Sequence, residues 1–181
     1  GDLADPLIER PPLGAAFLLG LDGRHSMARV AANRPEDHDM TDCLFCRIAA
    51  GALPAHKLYE DDHILAFLDL HPIRPGHALV IPKAHHVWFE DLPPDLATRV
   101  TTCAQQLARR MKALYGVPRV AMFYTGIHVP HAHAHVVPMQ DQHDVTSAAY
   151  LADGPGVFSA PPQLPAEEMA AIAAALRPAF S

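Results

Sequence analysis

Residues 131–138 read His131-Ala132-His133-Ala134-His135-Val136-Val137-Pro138. Histidine and alanine alternate over five positions, and an apolar run ended by proline follows. Successive side chains of a β-strand leave opposite faces, so on a strand over His131–Val137 the three imidazoles share one face. Ala132, Ala134 and Val136 take the other. Same-face neighbours then stand roughly 6–7 Å apart, twice the rise per residue. Three imidazoles in a row are costly to bury, because each needs a hydrogen-bond partner or a metal. Solvated histidines on an exposed edge are the plainer alternative, and the apolar residues that follow argue against exposure.

The flanking segments supply a sheet for this strand and a helix to cover it. Val120 to Tyr124 reads as a fourth strand, joined to the histidine strand by a tight connection over Thr125 to Pro130. Leu96, Val100, Cys103, Leu107, Met111 and Leu114 form one continuous helical stripe, opened by Pro94-Asp95 and stopped by Gly116-Val117-Pro118. His77 to Pro82 is a strand whose apolar run suggests burial on both faces. Lys57 to Glu60 and His63 to Leu70 form a hairpin about Asp61-Asp62. Asp42 caps a short helix from Cys43 to Ala50, and a last helix runs from Pro165 through Leu176. The order helix, three strands, helix, two strands predicts an α+β fold. Its sheet is mostly antiparallel and five-stranded, with one long helix across it and a short N-terminal helix. A central domain at 42–140 is expected between an N-terminal extension (1–41, with a short strand over Ala15 to Leu21) and a C-terminal extension (141–181).

Composition narrows the partners. The 181 residues suit one domain with tails. Fourteen Lys and Arg against 20 Asp and Glu, with no basic block, leave little to hold duplex nucleic acid. A single nucleotide remains open as a ligand. No apolar run reaches the roughly 18 residues that cross a bilayer. The first twenty residues carry acids and prolines rather than a basic segment and an apolar stretch, so neither a membrane anchor nor a secretory signal is expected. Three cysteines, two of them spaced C-x-x-C, do not make a disulfide framework and point to a reducing, cytoplasmic setting.

Two chemistries fit the histidine row. It is a metal site, since imidazole is a common ligand and H-x-H on a strand places two together. Alternatively, one imidazole attacks phosphorus while its neighbours orient it and handle protons. The Cys43/Cys46 pair is likewise a redox pair, half of a zinc site, or two buried thiols; no thioredoxin-like βαβ pattern surrounds it.

The row His131-x-His133-x-His135 with its apolar continuation resembles the signature of the histidine-triad (HIT) family of nucleotide hydrolases and transferases. Cys43-Leu44-Phe45-Cys46-Arg47-Ile48, Tyr59-Glu60-Asp61-Asp62, Ala66-Phe67-Leu68-Asp69 and the run from Pro75 to His85 resemble that family's N-terminal half in the same order. The resemblance implies a HIT-like fold. It implies His133 as the nucleophile on an α-phosphorus, with His135 and His77 as companions that hold the phosphate and pass protons. Asp69 resembles the ribose-binding acid, and Phe45, Ile48, Phe67 and Leu70 resemble the walls around the base; for each of these four, simple core packing is the alternative. The resemblance to zinc-carrying, bacterial-type members implies a structural zinc held by Cys43, Cys46, His85 and His131. It also implies a homodimer pairing through the long helix and fourth strand.

One segment departs from the pattern. Where the family commonly has Gly-Gln-x-Val, this chain has Gly126-Ile127-His128-Val129, and Ile127 has no side-chain donor. Thr125 and His128 are the candidates to contact the phosphate instead. Two other readings follow: a metallohydrolase with zinc on the histidine row, and a nucleotide-binding protein that has lost most of its catalysis.

Overall fold

The computed structural model describes residues 43–125, 128–141, 144–145 and 162–180. The expected extension over 1–41, the Asp42 cap, and Gly126 and Ile127 lie outside them. Along the chain come α1 (Leu44–Ala49), β1 (Lys57–Glu60), β2 (Ile64–Leu68), β3 (Ala78–Pro82), a 3-10 turn (Phe89–Asp91) and α2 (Pro94–Tyr115). Then follow β4 (Arg119–Tyr124), β5 (Ala134–Met139), α3 (Ala166–Leu176) and a closing 3-10 turn (Arg177–Phe180). The strands form one antiparallel sheet in the order β1-β2-β3-β5-β4. The α+β fold expected from the element order is the one observed.

Every residue of β2 and β3 is buried, which explains their unbroken apolar runs. Alternate positions serve two cores. Ile64, Ala66, Leu68, Ala78 and Val80 pack toward Leu96, Val100, Leu107 and Met111 of α2. Leu65, Phe67, Leu79 and Ile81 pack on the other face with Phe45 and Ile48 of α1. The helical stripe holds except at its end, where Leu114 is 38% exposed and Tyr115 packs on the core instead. From Met111 a step of four continues the stripe as well as a step of three, and the tyrosine ring reaches Gly76. The terminal helix is part of the same core: Met169, Ala173 and Leu176 join the cluster under α2. Arg110 and Arg177 donate to the carbonyls of Ala175 and Lys57 at 2.8 and 3.0 Å, tying α3 and the turn after it to α2 and β1.

The hairpin turn owes its shape to Asp61, whose Oδ1 accepts the N–H groups of His63 and Ile64, both at 2.7 Å. β5 differs from the expected strand at both ends. Ahead of Ala134 the chain is drawn off the ladder, with the Ala132 N–H donated to the His86 carbonyl at 2.6 Å. The alternation outlasts the ladder all the same, for Ala132, Ala134 and Val136 all face the α2 core. Pro138 does not close the strand. β3 pairs with β5 only as far as Val136, so the proline is opposed by Val120 of β4 alone and costs no ladder bond to β3.

Two glycines differ in a way that can be measured. Gly116, with φ of 64°, ends α2, and a Cβ added there would meet nothing within 4 Å. Gly76, with φ of 94°, lies against Tyr115, and a Cβ there would fall 2.6–2.9 Å from three atoms of that ring. Gly116→Ala is expected to cost about 1 kcal/mol in urea unfolding, the usual penalty of a left-handed residue. Gly76→Ala adds a clash to that penalty and is expected to cost about 2 kcal/mol or more. Equal losses at the two positions would contradict the packing.

Candidate active site and metal cluster

The N-terminus of α1, the segment after β3 and the approach to β5 meet at four side chains. Cys43 Sγ lies 3.4 Å from His131 Nδ1, and Cys46 Sγ lies 3.2 Å from His85 Nδ1 and 3.5 Å from His131 Nδ1. All four ligand atoms fall within 4.8 Å of one another. A tetrahedral zinc with sulfur at about 2.3 Å and nitrogen at about 2.0 Å sets S···N edges of about 3.5 Å, so the spacing fits such an ion. The tautomer fits too. His131 donates its Nε2–H to the Pro82 carbonyl at 2.9 Å, which leaves the Nδ1 lone pair facing the thiols. Burial, with Cys43 beside it, pushes the Cys46 thiol up to about 12, so a cation is what that thiol needs to ionise. Burial also pushes His131 down to about 4, the neutral form a ligand requires.

His133, His135 and His77 form a second constellation. His133 donates its Nδ1–H to the carbonyl of His131, so its lone pair resides on Nε2. Phe45 meets the His133 ring edge-on with centroids 5.0 Å apart, and the His135 ring stands 4.9 Å away. Burial lowers the His133 pKa, with the His131 carbonyl and the Asp69 charge pulling upward and His128 lowering it further. A directed chain runs through the other two imidazoles. The Ile73 N–H is donated to His77 Nδ1 at 3.2 Å, so His77 carries its proton on Nε2. That proton is donated to His135 Nδ1 at 3.0 Å, and His135 Nε2–H in turn reaches Thr125 Oγ1 at 3.3 Å. Burial pushes His77 down to about 4 and His135 to about 3, each lowered further by a neighbouring imidazole. Both are neutral near pH 7.

The predicted residues are therefore sorted by the fold. The row is split: His131 turns to the thiols, His135 gathers with His77 and Asp69 in a second group of potential ligand atoms, and His133 belongs to neither group. No group among the described residues gathers all three for one ion. Asp69 holds the His71 N–H on Oδ1 at 2.8 Å and brings Oδ2 to 3.7 Å from His77 Nδ1. Phe45, Ile48 and Phe67 are buried in the α1 core, whereas Leu70 is 53% exposed after β2. Thr125 meets His135, and His128 is exposed but felt electrostatically at His133. Several contributors were missed by the sequence reading: the Pro82 and His131 carbonyls, the Ile73 amide, and Phe123, whose ring stacks on His135 at 4.7 Å. Phe123 alone was accessible in principle, since β4 register puts it opposite His135.

The chain is similar to known proteins in sequence and in fold. The model of the HIT domain family matches residues 50–142. An uncharacterized HIT-like protein of Methanocaldococcus jannaschii is 36% identical over 100 residues, covering 53% of this chain and 78% of that protein. The adenosine 5'-monophosphoramidase HNT1 of Saccharomyces cerevisiae is 37% identical over 101 residues, covering 55% of this chain and 64% of that protein. Among solved structures, a zinc-bound histidine triad family protein from Mycobacterium smegmatis superposes with a TM-score of 0.60 at 27% identity, covering 78% of this chain and 94% of that one.

The neutral imidazoles make stability depend on acid. His77 and His135 protonate near the ordinary 6.5 when unfolded but resist until about 4 and 3 when folded, so the unfolded chain binds more protons between those values. Their contribution is complete above about pH 6.5 and is lost as the pH falls toward 4. Urea unfolding of the wild type is expected to weaken between pH 7 and pH 5 by on the order of 1–2 kcal/mol for each imidazole. His135→Gln is expected to flatten that slope. Parallel slopes for variant and wild type would contradict the burial of a neutral ring.

Proposed function

The chain belongs to the HIT family, and on that premise we propose that it cleaves a nucleoside 5'-phosphate derivative at the α-phosphorus through a nucleotidyl-histidine intermediate. The substrate class is a phosphoramidate or a dinucleoside polyphosphate, and the acceptor is water or a second substrate. The observation that carries this reading is the Nδ1–H of His133 donated to the His131 carbonyl, which leaves Nε2 as the one nucleophilic nitrogen of that ring. As Nε2 bonds to phosphorus, the bond to the leaving group breaks and its electron pair departs with that group, which takes a proton from solvent. His133 is then an imidazolium, and the carbonyl on Nδ1–H stabilises the charge it has gained. Water then attacks phosphorus, the P–N bond breaks back onto Nε2, and a nucleoside monophosphate leaves.

The companions divide the remaining work. His135 is assigned to offer its Nε2–H to a phosphoryl oxygen, with His77 behind it donating its own Nε2–H to His135 Nδ1, and their neutral state keeps the pair from competing with the nucleophile for positive charge. Thr125 and His128 are assigned to contact the phosphate. Asp69 is assigned to the ribose hydroxyls, with Phe45, Ile48, Phe67 and Leu70 around the base. We assign Cys43, Cys46, His85 and His131 to a structural zinc, which when bound supplies a charge that keeps both thiols ionised and fixes α1 against the approach to β5. Residues 42–140 are taken as the domain that carries all of this. The same reading includes the homodimer through α2 and β4: β4 is an edge strand, and Met122 and Leu114 are 39% and 38% exposed there. Thiols free for a metal suit a cytoplasmic setting, and no described helix is long and apolar enough to cross a membrane.

Two outcomes follow. His133→Asn is expected to lower turnover of an adenosine 5'-phosphoramidate by on the order of 10³-fold or more while AMP still binds. Undiminished turnover refutes the nucleophile; tight AMP binding without turnover by the wild type favours the binding-only alternative. Metal analysis of protein kept from chelators is expected to find one zinc per chain, lost in Cys46→Ser together with several degrees of thermal stability. Metal-free wild type would remove the zinc assignment.

A further inference from the structure

His77 sits at the end of the loop between β2 and β3, and five separate contacts converge on that loop. The Asp69 N–H is donated to the His77 carbonyl at 3.0 Å, and the His77 N–H to the Arg74 carbonyl at 2.9 Å. The Ile73 N–H takes His77 Nδ1 as its acceptor. Gly76, at a φ open to glycine, lets the Tyr115 ring of α2 press directly on the backbone next to His77. The fifth contact comes from far along the chain. Arg74 Nε and Nη2 both donate to Asp144 Oδ1, at 3.0 and 2.7 Å. Asp144 Oδ2 accepts the N–H groups of Gln140 and Asp141 at 2.8 and 2.9 Å, directly after β5. The Asp144 side chain is 5% exposed and the Arg74 side chain 36%, so the carboxylate end is sheltered, and two donated bonds to one oxygen fix the geometry of a pair that solvent screens only in part.

We propose that the Arg74–Asp144 pair is a positioning device for the reaction, acting through the tautomer and aim of His77. Arg74 lies between the two bonds that define that histidine: its neighbour Ile73 supplies the N–H on Nδ1, and its own carbonyl takes the His77 N–H. Holding Arg74 against the end of β5 therefore holds both bonds at once. With Nδ1 occupied as an acceptor, the His77 proton stays on Nε2 and points to His135. Release of Arg74 frees the Ile73 amide, after which His77 can carry its proton on Nδ1 and the chain to His135 and Thr125 is broken. The two anchors have distinct parts: Tyr115 fixes where the loop lies, and Asp144 fixes which way its amides face. This inference rests on the reaction proposed above only for its kinetic readout.

The test uses full-length Arg74→Met, Arg74→Lys and Asp144→Asn, with adenosine 5'-phosphoramidate as substrate and nitrogen-15 shifts of the histidine rings as a second readout. Asp144→Asn keeps an oxygen for the Gln140 and Asp141 amides and replaces the acceptor of Arg74 with an uncharged NH2 donor, so it stands in should Arg74→Met fail to fold. The His77 resonances are assigned by their loss in His77→Gln. Either charge-removing variant is expected to lower kcat about tenfold to a hundredfold, as a misplacement of the order of an ångström does, with KM within about threefold. The His77 Nδ1 shift is expected to move toward the protonated-nitrogen value, and Arg74→Lys to recover most of the loss in both readouts. Wild-type kcat in the folded variants, or unchanged His77 shifts, overturns the proposal. A wild type that turns over no phosphoramidate sinks the reaction proposed above and leaves the ring shifts to decide this one.

Discussion

The Nδ1 lone pair of His131 faces Cys43 and Cys46 at 3.4 and 3.5 Å, its Nε2–H is donated to the Pro82 carbonyl, and its own carbonyl takes the Nδ1–H of His133. One fully buried residue thus joins the metal cluster, the end of β3 and the candidate nucleophile. Each bond excludes an alternative. Pro82 excludes the tautomer that would turn a proton toward the thiols, and the His131 carbonyl excludes the one that would put a proton on Nε2 of His133. The proposed metal ligands and the proposed nucleophile are therefore not two independent features on a shared scaffold, because the same residue sets the protonation pattern of both.

The sheet can hold this arrangement only because both of its faces are covered. Ala132, Ala134 and Val136 pack against the α2 core, so the histidine-bearing segment is clamped from behind by small side chains that leave no room for it to shift. In front, Phe45 touches both His131 and His133, and Phe123 lies flat on His135. Buried imidazoles in such a setting remain neutral, and each then has a single donor and a single acceptor to satisfy. The chain from Ile73 through His77 and His135 to Thr125 meets that requirement without a net charge.

Much of this was legible from residue types and spacing. The row of three histidines, the helical stripe ended by Gly116 and the two apolar runs of β2 and β3 determine the order and nature of the elements, since their periods are fixed by backbone geometry. The C-x-x-C pair and His85 could be grouped with His131 only through a family resemblance; nothing in their separation of some forty to ninety positions predicts that they meet. What sequence could not supply was the split of the histidine row, because the direction of each ring is decided by backbone carbonyls and amides that look alike at every position. The ladder leaving β5 at Ala134 was hidden for the same reason: the His86 carbonyl that captures the Ala132 amide has no side-chain signature. The pairing of Arg74 with Asp144, 70 positions apart, was equally silent.

The central claim is a covalent bond between phosphorus and one nitrogen, and intact-mass spectrometry read within the turnover time tests it most directly. Rapid mixing with adenosine 5'-phosphoramidate followed by denaturation is expected to show the chain heavier by one adenylyl group, with peptide fragmentation placing the addition on His133. An adduct on another residue, or none while substrate is being consumed, would contradict the account.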